Sequence, residues 1–345
     1  MTKEIAFPYP FAGYSSLDFI NCFASAYMCI EGFDGTEDCY CGGKRAVCDS
    51  CGDCRTSLGK KQEELFFLFG TVTGCNALRD CFNGPTEMDK LISDSEDSIS
   101  FAMGFAGYEY QRVASAMGEA VVASVDAGRP VLARMKSADR GSFRVITGYL
   151  DGGATLLCPE PTGAQRKPEG PPAYDEIDSL YVITDKGEPT ITLKDGFERI
   201  IRVMEFNRDQ ALWDGYIAKF SHYWGDLRNA AYEEIQRRFR RVCETMWHTF
   251  NCHNFAETFR RELWHRLPDP KMRELFQGVD AAYDLTHTRC WQVIALQDGR
   301  NWTKRLYNEL EWGFCNCVVM CLEDLKRNDE TVLALMKECA RMLSE

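Results

Sequence analysis

Apolar and polar positions alternate with one rhythm early in the chain, a second in its middle and a third from about residue 194 onward. Phe19, Ile20, Phe23, Ala24 and Tyr27 recur at three- and four-residue intervals, which predicts a helix over residues 16–31. Ser15 and Asp18 stand like a capping box at its start. Gln62-Glu63-Glu64-Leu65-Phe66-Phe67-Leu68-Phe69 predicts a second helix over roughly 60–82. A third is predicted over 109–127, closing at Gly128, a residue suited to a left-handed C-cap. Between these two lies an acidic segment with Asp89, Asp94, Glu96 and Asp97.

The middle of the chain changes to a strand rhythm. Val131–Met135, Phe143–Leu150, Thr155–Cys158 and Ser179–Thr184 are rich in β-branched and apolar residues. Asp151-Gly152-Gly153 supplies a tight turn between the second and third of them. Residues 159–175, with five prolines, read as a loop. Helices followed by an antiparallel meander make an α+β domain, expected to cover residues 1–195.

From Lys194 the period is helical, with Phe197, Ile200, Ile201 and Met204 on one face. Further helices are predicted over 209–224, 226–251, 254–265, 270–297, 301–323 and 329–343, with Pro268 and Pro270 breaking the series. Residues 196–345 are therefore expected to form an all-helical domain. All seven tryptophans and all five histidines lie from Trp213 onward, which sharpens the division. No fixed-period repeat stands out, so a solenoid is not expected.

Composition narrows the function classes. The 345 residues are 45% hydrophobic and 27% charged, enough for a packed core in a soluble protein. A net charge of -12 opposes polyanionic partners, and the basic run Arg237-Arg238-Phe239-Arg240-Arg241 reads as a solvated helix face. No nucleic acid is expected as a partner. The first residues, Met1-Thr2-Lys3-Glu4-Ile5-Ala6-Phe7-Pro8, lack an export signal core, and no run of eighteen apolar residues predicts a membrane span. Seventeen cysteines in a chain of this size and charge read as thiols, so a cytoplasmic protein is expected. The tryptophans of the helical half could line a homodimer interface.

The most suggestive residue is Cys22, within Ile20-Asn21-Cys22-Phe23 on the first helix. Gly128-Arg129-Pro130-Val131-Leu132 and Phe143-Arg144-Val145-Ile146-Thr147-Gly148-Tyr149 follow it, and Cys158-Pro159-Glu160-Pro161 comes next. With these phrases the chain resembles the papain-like fold. It is most similar to bacteriocin-processing cysteine peptidases and to the family named after the amino-terminal domain of butirosin biosynthesis protein H. Gly215-Tyr216-Ile217-Ala218-Lys219-Phe220-Ser221-His222-Tyr223-Trp224 is similar to part of the helical carboxy-terminal half found among the butirosin-H-like proteins.

The resemblance implies a papain-like α+β domain with Cys22 as nucleophile and Glu160 as the carboxylate that orients the base. It implies a cleft beside the first helix, near Asn21, Ser16 and Tyr149. Two positions depart from the family pattern: the catalytic histidine falls at Ser142 or Phe143, and the oxyanion glutamine falls at Ser16. A thiol enzyme needs a base to form its thiolate, and the first histidine here is His222.

The expected function is therefore a degenerate papain-like protein that binds a peptide-like or small acyl-type ligand without peptidase activity. The alternative is a cysteine-dependent acyltransferase or amide hydrolase, with a base such as His222, His248 or His253 supplied by the helical domain.

A second concentration of chemistry lies in a cysteine-rich loop over 34–58. Cys48, Cys51 and Cys54 follow C-x2-C-x2-C spacing, with Cys41 or Cys39 as a fourth thiolate. Four thiolates suit tetrahedral zinc, and the same set could hold an iron–sulfur cluster. A loop of ordinary thiols is the plain alternative. Cys317 and Cys321 share a helix face, which simple core packing also produces. Gly70-Thr71-Val72-Thr73-Gly74 lacks the lysine of a phosphate-binding loop.

Overall fold

The computed structural model describes residues 1–9, 18–33, 57–73, 94–137, 142–159, 170–227, 231, 233, 267, 269–297 and 304–344. It is a mixed structure of helices and antiparallel sheets, in two compact units. One comprises Met1–Gly70 and Ser93–Leu193, the other Thr71–Ile92 and Lys194–Glu345.

The first unit opens with strand β1 (Lys3–Glu4) and helix α1 (Asp18–Glu31). From Asp18 to Ala26 every position of α1 is buried, so this helix is core on all sides. The packing is largely aromatic. Phe19 and Phe23 stack at 5.5 Å, Phe19 meets Phe143 at 5.3 Å, and Phe23 meets Phe69 edge-on at 4.7 Å. At the other end, the Tyr108 hydroxyl donates to Glu31 Oε1 at 2.7 Å and Lys186 Nζ reaches Glu31 Oε2 at 2.5 Å. Phe66 and Phe69 belong to α2 (Ser57–Val72).

The acidic segment, expected to carry no element, contains α3 (Glu96–Ala106). Ser95 caps it by accepting from the Ser98 N–H at 3.1 Å, and Glu96 and Asp97 lie in the first turn, where the helix dipole favours negative charge. Gly107, at φ 76°, ends it. The helix expected over 109–127 divides: its first part is strand β2 (Tyr108–Val113), and only Met117–Asp126 is helical (α4).

Strands β3 (Val131–Met135), β4 (Phe143–Ile146), β5 (Gly148–Leu150), β6 (Thr155–Leu157) and β7 (Ile177–Lys186) follow. They form two antiparallel sheets, ordered β2-β7-β3-β4 and β1-β5-β6. The segment 143–150 was expected as one strand; it is two, one in each sheet. Thr147 marks the change: its N–H donates to the Leu157 carbonyl at 2.9 Å and its carbonyl accepts from Ile5 N at 2.8 Å. Asp151, Gly152 and Gly153, all at positive φ, make the β5–β6 turn.

The second unit holds α5 (Leu193–Asp209), whose first residue closes the first unit, with α6 (Leu212–Leu227), α7 (Pro270–Gln297) and α8 (Lys304–Met342). Helix α5 buries Phe197, Ile200, Val203 and Met204, and Phe197 meets Phe276 of α7 at 6.5 Å. Arg199 Nε donates to the Thr73 carbonyl at 3.0 Å, which ties the end of α2 into this unit. Asp269 caps α7 through the Lys271 N–H at 2.7 Å, with Pro270 at the first helical position. Among the described residues no helix is long and apolar enough to cross a membrane.

Candidate functional site

The first turns of α1 carry the residues that the resemblance singled out. Cys22 is 0% exposed and its neighbour Asn21 is 1% exposed. Helix α1 packs on β3 and β4, and the Phe19, Phe23 and Phe143 rings fill this part of the core. The thiol of Cys22 is thus part of the packed interior.

Ser142, one of the two positions at which the family's histidine falls, lies just before β4 and faces the start of α1. Its backbone N–H donates to Asp18 Oδ2 at 2.7 Å, and its hydroxyl is 3.2 Å from the same oxygen. The hydroxyl also contacts Asp94 Oδ2. Asp94 in turn accepts from the Phe19 N–H at 3.1 Å, so a residue 75 positions away caps the first turn of α1. Two carboxyl groups and one hydroxyl therefore close the helix end.

Electrostatics sets where the proton goes. Burial, reinforced by the nearby Asp18 charge, holds the Asp94 carboxyl above the usual carboxylate range, although Ser142, Phe19 N–H and Arg134 pull the other way. A serine hydroxyl has one proton to donate and can also accept. With Asp94 protonated, Asp94 donates to Ser142 Oγ and Ser142 donates to Asp18, so all contacts are satisfied.

Arg134 of β3 extends the cluster outward. Its guanidinium reaches the Asp94 carbonyl and Glu96, and lies 5.3 Å from the Phe143 ring centroid and 5.4 Å from that of Tyr181. Tyr181 donates its hydroxyl to Glu96 Oε1, and burial followed by that carboxylate raises the phenol above its ordinary range.

Tyr149, expected at the same cleft, belongs to the other sheet. Its ring packs with Val121, Val125 and Leu156, and its hydroxyl donates to Asp126 Oδ1 at 3.0 Å. Asn21 and Cys22 share α1, whereas Tyr149 serves the core beneath α4. Ser16, Glu160 and the thiolates Cys41, Cys48, Cys51 and Cys54 lie outside the described residues, as do His248 and His253 and the side chain of His222. Among the described residues no group of three His, Cys, Asp or Glu side chains is arranged to hold a metal. On α8, Cys321 is buried and donates to Gln292 Oε1 at 3.6 Å, while Cys317 is exposed.

The sequence reading missed the Asp18–Asp94–Ser142 cluster. Asp18 read as a capping residue and Asp94 as one charge in an acidic run, and no spacing rule links them. Chemically the cluster can hold and share one proton and fix the end of α1. It contains no group that takes a proton from a thiol as an imidazole does. Comparison of the chain with protein-family models, curated proteins and solved structures gives no match.

Proposed function

We propose that this protein binds a peptide-like or small acyl-type ligand beside α1, on a papain-like frame that has given up thiol-peptidase chemistry. The observation that supports this reading is the complete burial of Cys22. Ser142 adds to it, because this side chain is at one of the two positions the resemblance gives the histidine and contacts the carboxyl groups of Asp18 and Asp94. A nucleophile needs access, an activated form and a base at hydrogen-bond distance. The burial of Cys22 denies an external substrate the first of these.

The test is alkylation with iodoacetamide at neutral pH, followed by mapping of the Cys22 peptide. Cys22 should stay unmodified in the native protein and react once the chain is unfolded in guanidinium. Fast native alkylation that is lost on unfolding would overturn the reading in favour of an activated thiol. The ligand half is tested with N-acyl dipeptide amides, which should raise the melting temperature and slow amide exchange along α1. A panel that changes neither counts against it.

A further inference from the structure

The helical unit contains a pocket of about 140 Å³ lined by residues of α5, α6 and α8, with the α5–α6 turn. Its walls are apolar, from Met204, Trp213 and Leu333, yet two buried polar side chains line it as well: Asn207, 2% exposed, and Asp329, 9% exposed. The indole N–H of Trp213 donates to Asp329 Oδ2 at 2.8 Å, which fixes both the ring and the carboxylate.

The charges around the pocket are unbalanced. Three carboxylates of the lining, Asp214, Asp329 and Glu330, face two cations, Arg208 and Lys326. Lys326 Nζ is bound to Asp214 Oδ1 at 2.6 Å, and Arg208 holds Asp209, outside the lining, at 2.8 Å. The net charge of the lining is negative, and both cations are already matched to carboxylates. A small pocket with apolar walls and a buried carboxylate in its lining selects a cation with an apolar body.

We propose that this pocket binds a small primary ammonium compound, with its alkyl part against Met204, Leu333 and Trp213 and its charged end toward Asp329 and Glu330. The size sets the ligand: an apolar cavity of roughly 150 Å³ accepts benzene, so the occupant has on the order of five to eight non-hydrogen atoms. A primary ammonium carries three N–H donors for the carboxylate oxygens. This site belongs to the helical unit and is independent of the reading given for Cys22.

The experiment is calorimetric titration of the full chain with n-butylammonium, n-butanol and tetramethylammonium at low ionic strength. Saturable binding of n-butylammonium is expected, with n-butanol and tetramethylammonium each weaker by about tenfold or more, since each lacks the charge or the N–H donors. Asp329→Asn keeps an acceptor for the Trp213 N–H and should weaken n-butylammonium by about tenfold. Glu330→Gln, at an exposed position of α8, leaves the fold intact and should weaken it by a few-fold and reduce its salt dependence. Absence of saturable binding, equal binding of n-butanol or of tetramethylammonium, or unchanged affinity in Glu330→Gln together with a folded Asp329→Asn would each overturn the proposal.

Discussion

Ser142 Oγ lies between two carboxyl groups, and a single hydroxyl proton serves only one of them. Burial holds the Asp94 carboxyl above the usual carboxylate range. A raised native value means that the folded state binds the proton more tightly than the unfolded chain. Its stabilising contribution is complete below the unfolded value of about 4 and is lost as pH rises through the native one. Asp94→Asn mimics the protonated form: the amide keeps an acceptor for the Phe19 N–H and gains a donor for Ser142. In urea unfolding from pH 4 upward, the wild type should lose stability relative to Asp94→Asn, with the two closest at the acid end. A gap that is constant across that range would show that Asp94 holds no proton in the native state. The cluster was not legible in the sequence. Ser142 lies 124 residues from Asp18 and 48 from Asp94, and only the tertiary fold brings such groups together. Cys22 was legible as a core cysteine or a nucleophile, and burial is the property a linear pattern cannot supply.

Glycine and alanine mark where the elements are under the tightest constraint. A Cβ on Gly148 would fall 2.7 Å from the Lys3 carbonyl oxygen and 3.0 Å from Glu4 Cα, so β1 approaches β5 over a bare backbone. Gly148→Ala should push β1 off its sheet and destabilise the fold by about 1–3 kcal/mol, read from denaturant midpoints. Ala211, between α5 and α6, holds a φ of 50°, a region that favours glycine. Ala211→Gly should therefore stabilise the chain by about 0.5–1 kcal/mol in the same measurement. Element type followed the local signals where these were strong. The helix read over 270–297 has the bounds of α7, and Val131–Met135 was read at its observed length. Strand β2 was hidden because Tyr110, Val113, Met117 and Val121 also fit a helical period, and the choice between the two is made by pairing with β7. Helix α8 was read as two helices, over 301–323 and 329–343, and Asn328 and Asp329 lie near the expected gap. Both face inward: Asn328 donates to the Ala282 carbonyl and to Thr286 Oγ1, and Asp329 accepts from Trp213.

At the scale of the whole molecule, the chain divides into two compact units, the second built from Thr71–Ile92 and Lys194–Glu345. The composition change near residue 200 carries no sign of Thr71–Ile92 in that unit; among the described residues Arg199 Nε donates to the Thr73 backbone carbonyl. Within the first unit, the division of 143–150 between two sheets has a consequence for how the unit opens. Thr147 bonds on both sides into one sheet while the residue before it, Ile146, pairs with Val131 in the other. Neither sheet can fray along this segment without pulling on its neighbour, so the two should behave as one cooperative exchange unit. Native-state hydrogen exchange should give amides of β4 and of β5–β6 the same opening free energy and the same denaturant slope. If β5–β6 exchanges at clearly lower free energy than β4, the two sheets open independently.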